Sequence, residues 1–342
     1  MNQDIISFSS ENFSGVHPAF IQAIQSSNEG KVPSYGKDKF TEKATITIQQ
    51  KFKRDCDVYF AFNGTGANNF AIAAIVQPYN SILCSDVAHI YIDESTAPEA
   101  MLNCRMYPIK SVHGKIVIED LKLKLRRIGD VHHPQPAVIT LSQPTEYGTI
   151  YSKEEMMAIS ELANKYNVLL HIDGARFFNA AVSLNLSLNE LTEEIDVLTL
   201  GGTKNGMLFG EAVLFFNKSK TNSNKFHQKR SMQLASKMRF ISAQFEAIFN
   251  NDLWYALAAH ANNMAKYFEI KIKEFTHLKI TRPVETNIVF VEMPEVLYHQ
   301  LQQYASFYLW DIQAEETRFM FSFDTTQSEI DIFIEQLQLL KS

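Results

Sequence analysis

Six short apolar runs between residues 57 and 216 constrain this chain more than any other feature. They are "DVYFAF" (57–62), "SILCS" (81–85), "AVITLS" (137–142), "VLLHID" (168–173), "DVLTLG" (196–201) and "AVLFF" (212–216). Each is short for a helix and rich in Val, Ile, Leu and Phe, as strands covered on both faces are. Helical patterns lie between them. "ANNFAIAAIVQ" (67–77) stops before Pro78, and "SKEEMMAISELANKY" (152–166) opens with Ser152 and Glu155 at capping-box spacing. Strands alternating with helices predict an α/β domain with a mostly parallel sheet, whose ligands sit beyond the carboxyl ends of the strands. Three polar or glycine-rich punctuations follow strand-like runs: "NGTGANN", "DGARF" and "GGTKNG".

Beyond residue 245 the pattern changes. "FEAIFNNDLWYALAAHANNMAKYFEIKIKEF" reads as long helices, "TNIVFVEM" (286–293) and "TRFMFSFD" (317–324) as strands, and "SEIDIFIEQLQLL" as a terminal amphipathic helix. A large domain over 16–248 and a small C-terminal α/β domain over 249–342 are expected, preceded by an arm over 1–15. The net charge of −6 and the lack of a basic run argue against a nucleic-acid partner. No window approaches the roughly 18 apolar residues of a membrane span. The N-terminus lacks the pattern of a secretory signal. Cys56, Cys84 and Cys104 are too far apart for a CxxC pair, which suits a reducing cytosol. The ten histidines are scattered, so no metal site is expected.

The punctuations carry the chemistry. Gly64, Thr65 and Gly66 form a turn between a strand and a helix, where backbone N–H groups and the helix dipole suit a phosphate. Asp173 ends an apolar strand, where a carboxylate is costly unless it meets a cation or a ligand, and Arg176 follows three residues on. Lys204 sits among Gly201, Gly202 and Gly206, and a lysine packed there loses hydration and becomes a better nucleophile. Phosphate turn, strand-end acid and loop lysine, in that order, are the parts needed to hold pyridoxal 5'-phosphate.

At this point the chain resembles a known family. "FNGTGANN", "SDVAHIYIDES", "HIDGARFFNA" and "GGTKNGMLFGEAV", with "FSSENFSGVHP" and "PSYGKDKFTEKA" near the N-terminus, are similar to the threonine aldolases and beta-eliminating lyases. The resemblance runs nearly end to end. It implies an aspartate-aminotransferase-like fold of type I and homodimers or homotetramers with shared active sites. It also implies cleavage of L-threonine or a related L-β-hydroxy-α-amino acid to glycine and an aldehyde. By the same resemblance Lys204 is the Schiff-base lysine, Asp173 the partner of the pyridine nitrogen, and Gly64, Thr65 and Gly66 the phosphate turn. His89 stacks on the ring and helps with the substrate hydroxyl, with Glu94 nearby for a proton relay. Arg176 is an arginine of the substrate carboxylate or the cofactor side. Arg318 and Ser10 bind the substrate carboxylate, and Tyr35 and Gly36 match a motif supplied by the neighbouring subunit.

Two segments depart from the family pattern. Where well-studied members carry Asn-Thr-His, this chain has Pro144, Thr145 and Glu146, so Glu146 stands in place of a histidine that handles the β-hydroxyl. A glycine-rich segment with an arginine is replaced by "RSMQLASKMRF", where Lys237 or Arg239 is left to meet the phosphate. Elimination or transamination by the same cofactor is the rival enzymatic reading. A dimeric binding protein with a degenerate site is the non-enzymatic one.

Overall fold

The computed structural model describes residues 6–216 and 219–340. Its centre is a seven-stranded sheet. The strands are β1 (Cys56–Ala61), β2 (Asn80–Ser85), β3 (Arg105–Ile109), β4 (Gln135–Ser142), β5 (Leu169–Gly174), β6 (Val197–Gly201) and β7 (Glu211–Phe216). They lie in the order β1-β7-β6-β5-β4-β2-β3, all parallel except β7, which runs antiparallel to both neighbours. All six apolar runs are strands. Every residue of β2 and β7 is buried, which is why these runs read as unbroken apolar stretches rather than alternating ones. The seventh strand, β3, is absent from the sequence reading. It forms a sheet edge, carries Pro108 and exposes Arg105, so its pattern is that of an edge and not of a core strand.

Helix starts depend on caps. Asn63 caps the helix Gly64–Ala73, its Oδ1 accepting from the N–H of Gly66 at 2.8 Å. The expected helix over 67–77 therefore starts three residues early, at Gly64, and ends at Ala73, ahead of Pro78. The glycine "turn" is the helix's own first turn. Ser152 and Glu155 form the expected capping box for Lys153–Lys165, with each side chain bonded to the other's backbone N–H.

A second core lies around an antiparallel sheet of β8 (Lys279–Ile280), β9 (Ile288–Glu292), β10 (Tyr308–Asp311) and β11 (Glu316–Met320), ordered β8-β9-β11-β10. The helix Leu253–Ile272 joins the two cores. Its Trp254, Leu257 and Ala258 pack in the first, and its Met264, Ala265, Phe268 and Ile272 in the second. The terminal helix Gln327–Leu340 buries Ile330, Phe333, Ile334 and Leu337, the face expected from its period. The N-terminal arm belongs here as well. Ile6–Ser7 pairs in parallel with Ala305–Ser306, and Phe8 is buried against Phe268, Phe319, Phe321 and Phe333. Among the described residues no helix is long and apolar enough to cross a membrane, and the three cysteines are buried and free.

Candidate active site

The carboxyl ends of β1, β2, β4, β5 and β6, with the start of the antiparallel β7, open onto one cavity of about 430 Å³. Its wall includes Gly64, Thr65, His89, Glu146, Asp173, Arg176 and Lys204 from the large sheet's edge. Ser10 comes from the arm, and Tyr308, Trp310 and Arg318 from the second sheet. Strand polarity gathers the first set, and the arm and second sheet add the rest, so Ser10 and Arg318, 308 positions apart, line one cavity.

The helix Gly64–Ala73 points its N-terminus into this cavity's wall. Asn63 takes the N–H of Gly66 and its carbonyl takes that of Ala67, while the N–H groups of Gly64 and Thr65 have no partner among the described residues. An anion is stabilised there by both free donors and the helix dipole. Gly66 itself does not line the cavity, so the three-residue cradle expected from the sequence narrows to Gly64 and Thr65.

Asp173 is buried and held from two sides. Its Oδ1 accepts from the N–H of Ala175 at 3.1 Å and its Oδ2 from Asn68 Nδ2 at 2.8 Å. The same Asn68 nitrogen donates to Glu94 Oε1 at 3.0 Å, which lies 3.1 Å from His89 Nδ1. Glu94 is buried and also accepts from Asn69 Nδ2 at 3.3 Å. A carboxylate on Nδ1 fixes the proton there and leaves Nε2 as the acceptor of neutral His89. The bond from Glu94 raises the His89 pKa, against a smaller opposing effect of burial. Donor atoms of His89, Glu94 and Asp173 lie within 4.8 Å of one another, a cluster that sequence spacing did not disclose. Glu146 completes this side. Its Oε1 accepts from the backbone N–H of His89 at 2.7 Å and the hydroxyl of Ser142 at 2.5 Å. Burial pushes the Glu146 carboxyl above its ordinary value, and those two bonds only partly offset it.

Lys204 is the middle of a single 3-10 turn, Thr203–Asn205, between Gly202 and Gly206. Gly201 allows the close approach of two strand ends, since a Cβ there would run into the backbone of Ala175. Gly206 has φ 88°, a left-handed conformation that other residues avoid. The Lys204 amine makes no hydrogen bond or ion pair among the described residues. Burial, reinforced by the charge of Arg176, lowers its pKa below the usual lysine value.

At the opposite end Arg318 has its Nε buried without a partner, and its Nη2 donates to the carbonyl of Ser9 at 3.2 Å. It stacks on Trp310 at 4.6 Å and Tyr308 at 5.1 Å. Burial, with the charge of Arg176 added, lowers its pKa to about 10. A buried guanidinium with an unused donor in a cavity wall suits a carboxylate ligand. Arg176 differs from the expectation. It lines the cavity, but its Nε and Nη2 already hold Glu11, at 2.5 and 2.9 Å. Ser10 also lines the cavity, and its Oγ caps Asn12 N–H at 3.2 Å.

Besides Gly66, the expected Lys237, Tyr35 and Gly36 do not line this chain's own cavity, Tyr35 and Gly36 having been expected from the neighbouring subunit. Lys237 is exposed and away from it, and so is Tyr35, whose N–H donates to the carbonyl of Ser236 at 3.0 Å. Arg239 bonds the carbonyls of Glu29 and Gly30. Gly36 lies beside Tyr35 in a separate surface groove. Sequence reading missed Glu11, Asn68, Glu211, Tyr308 and Trp310. Only Asn68 carried a signal, one helical turn from Thr65 on the helix face that packs on the sheet.

The fold and this constellation define an enzyme of fold type I, in which one sheet edge carries a lysine, an acid and an anion cradle. The chain belongs to the beta-eliminating lyase family, whose model matches residues 7–295, and it is a lyase. It is 40% identical to the low specificity L-threonine aldolase of Pseudomonas aeruginosa over 324 residues, 93% of each chain. It is 38% identical to the enzyme of the same name from a Pseudomonas species (strain NCIMB 10558) over 326 residues, 94% of each chain. A solved Leishmania major threonine aldolase superposes with a TM-score of 0.94 at 26% identity, covering 98% of this chain and 100% of that one.

Proposed function

We propose that this chain is a pyridoxal-phosphate-dependent aldolase that cleaves L-threonine or a related L-β-hydroxy-α-amino acid to glycine and an aldehyde. One observation carries the reading. A single cavity holds an unpaired lysine amine, a pinned carboxylate, two free helix N–H groups and a buried arginine with an unused donor. These residues fit the cofactor. Gly64 and Thr65 would hold its phosphate, Asp173 its ring nitrogen, and Lys204 its aldehyde carbon. Pyridoxal phosphate, when bound, supplies a protonated ring that takes up the electron pair of a bond broken at the amino acid's α-carbon. The names of relatives at 38 and 40% identity support aldol cleavage over other uses of the same parts.

The chain's own residues do the rest. Arg318 and the Ser10 hydroxyl hold the substrate carboxylate. His89 Nε2 or Glu146 removes the β-hydroxyl proton, and the Glu94 bond keeps the His89 ring in one orientation. Tyr308 and Trp310 line the cavity on the side of Arg318. The proposal extends to a homodimer or homotetramer in the cytosol. Exposed Tyr35, Ile46, Phe226 and Met232 support an interface, and three free buried cysteines suit a reducing compartment.

Product analysis tests the activity. L-threonine should give glycine and acetaldehyde in equal amounts, whereas pyruvate and ammonia from L-serine, with no glycine from L-threonine, would overturn it. A second result assigns the base. If Glu146 takes the proton it must be ionised, so turnover should fall as pH drops through its raised pKa. Glu146→Gln should then remove that acid limb and lower kcat by roughly a hundredfold or more. An unchanged pH profile in Glu146→Gln would leave His89 as the acceptor.

A further inference from the structure

Glu211 is the first residue of β7 and lies opposite Gly201 in the sheet register. It is buried and lines the same cavity as Lys204. Its Oε2 accepts from the N–H of Gly202 at 3.0 Å, and its Oε1 from the hydroxyl of Thr203 at 2.9 Å. Thr203 Oγ1 in turn accepts from the N–H of Gly210 at 3.1 Å. One carboxylate thus clasps the two residues immediately ahead of the lysine. A hydroxyl or a carboxamide would serve as a mere tie. A carboxylate is costly there, because among the described residues no cation lies within ion-pair distance of it.

We propose that Glu211 is a positioning residue for Lys204: it fixes the turn that presents the amine and adds its negative charge to the larger effects of Glu11 and Asp173 that favour the ammonium. The charged neighbours of this pair are few. Arg176 opposes the ammonium, while Glu11, Asp173 and Glu211 favour it. Glu11 is bound to Arg176 and Asp173 to Asn68, which leaves Glu211 as the acid attached to the lysine's own turn. Burial raises the Glu211 pKa to about 7, offset in part by its two bonds and by Lys204. Its charge therefore changes over the range in which the amine must become nucleophilic.

The inference rests on Lys204 being the reacting amine, and its test avoids turnover. Full-length protein freed of cofactor is acetylated with acetic anhydride from pH 6 to 10. Labelling of Lys204 relative to exposed Lys279 is then read by mass spectrometry. Glu211→Gln should move the Lys204 titration to lower pH and raise its relative labelling at pH 8 by roughly three- to tenfold. Glu211→Asp should move it back toward wild type. Simple loosening of the turn would shift the titration upward, toward an ordinary lysine, and that result overturns the proposal. Superimposed profiles overturn it too. Failure to take up pyridoxal phosphate would instead strike the functional reading and leave the labelling result standing.

Discussion

Lys204→Ala is expected to lower threonine turnover by at least about a thousandfold and to abolish the visible absorption of lysine-bound pyridoxal phosphate. The geometry argues for so large a loss. Among the described residues the Lys204 amine is the one amine in the cavity, it has no bonded partner, and burial already biases it toward the neutral form. Arg318 is cationic but not nucleophilic, and His89 is tied to Glu94. No neighbouring side chain can take over. Because the turn is held by Gly202, Thr203 and Glu211 rather than by the lysine's own tip, the variant should keep its fold. Unchanged circular dichroism with lost absorbance and lost glycine formation is the expected combination. Retained turnover would remove Lys204 from the chemistry.

Glu11→Ala should destabilise the folded chain by about 3–5 kcal/mol, measured by chemical denaturation, because it leaves a buried guanidinium unpaired. Glu11 joins three parts of the molecule. It forms a two-pronged pair with Arg176 and accepts from Asn287 Nδ2 at 2.8 Å. Burial by itself would raise this carboxyl. The charge and bonds of Arg176, with smaller help from Lys204 and Asn287, hold it at about 2 instead. A depressed folded-state pKa means that the pair's stabilisation is complete above the ordinary carboxylate value of 4.5 and is lost as pH falls from there through about 2. Glu11→Ala should therefore flatten the loss of stability across that window. An equally steep acid limb in the variant would show that other groups carry it.

What could be read beforehand was local. Each buried strand announced itself as an apolar run, and Asp173 and Lys204 stood out because polar residues at strand ends are costly. The capping box of Ser152 and Glu155 is contained in four residues, and it formed as expected. What could not be read was set by distance along the chain. Glu11 acquires its meaning from Arg176, 165 residues away, and Arg318 from Ser9, 309 residues away. Glu211 lay just outside the apolar run 212–216 and was not singled out; only the antiparallel course of β7 returns it to the lysine's edge. Pro108 disguised β3 by the same rule that makes it a good edge. Lys237 was placed in the site by analogy, and its position on this chain's surface brings it to no part of the cavity; Tyr35, expected from the neighbouring subunit, likewise lies outside its own chain's cavity.

The arm's place in the second core sets a schedule for the ribosome. Phe8 N–H donates to the carbonyl of Ser306, the N–H of Met320 donates to Phe8, and Phe333 packs on its ring. Phe8 can settle only after Ser306, Met320 and Phe333 have emerged from the exit tunnel. Ser10 and Glu11 travel with that segment, so the cavity's carboxylate end cannot be completed on a nascent chain. A ribosome-bound polypeptide truncated before residue 305 would carry Lys204 and Asp173 yet lack Arg318 and any anchor for the arm. Competence for catalysis is thus delayed until the segment from Ala305 to Phe333 has been made.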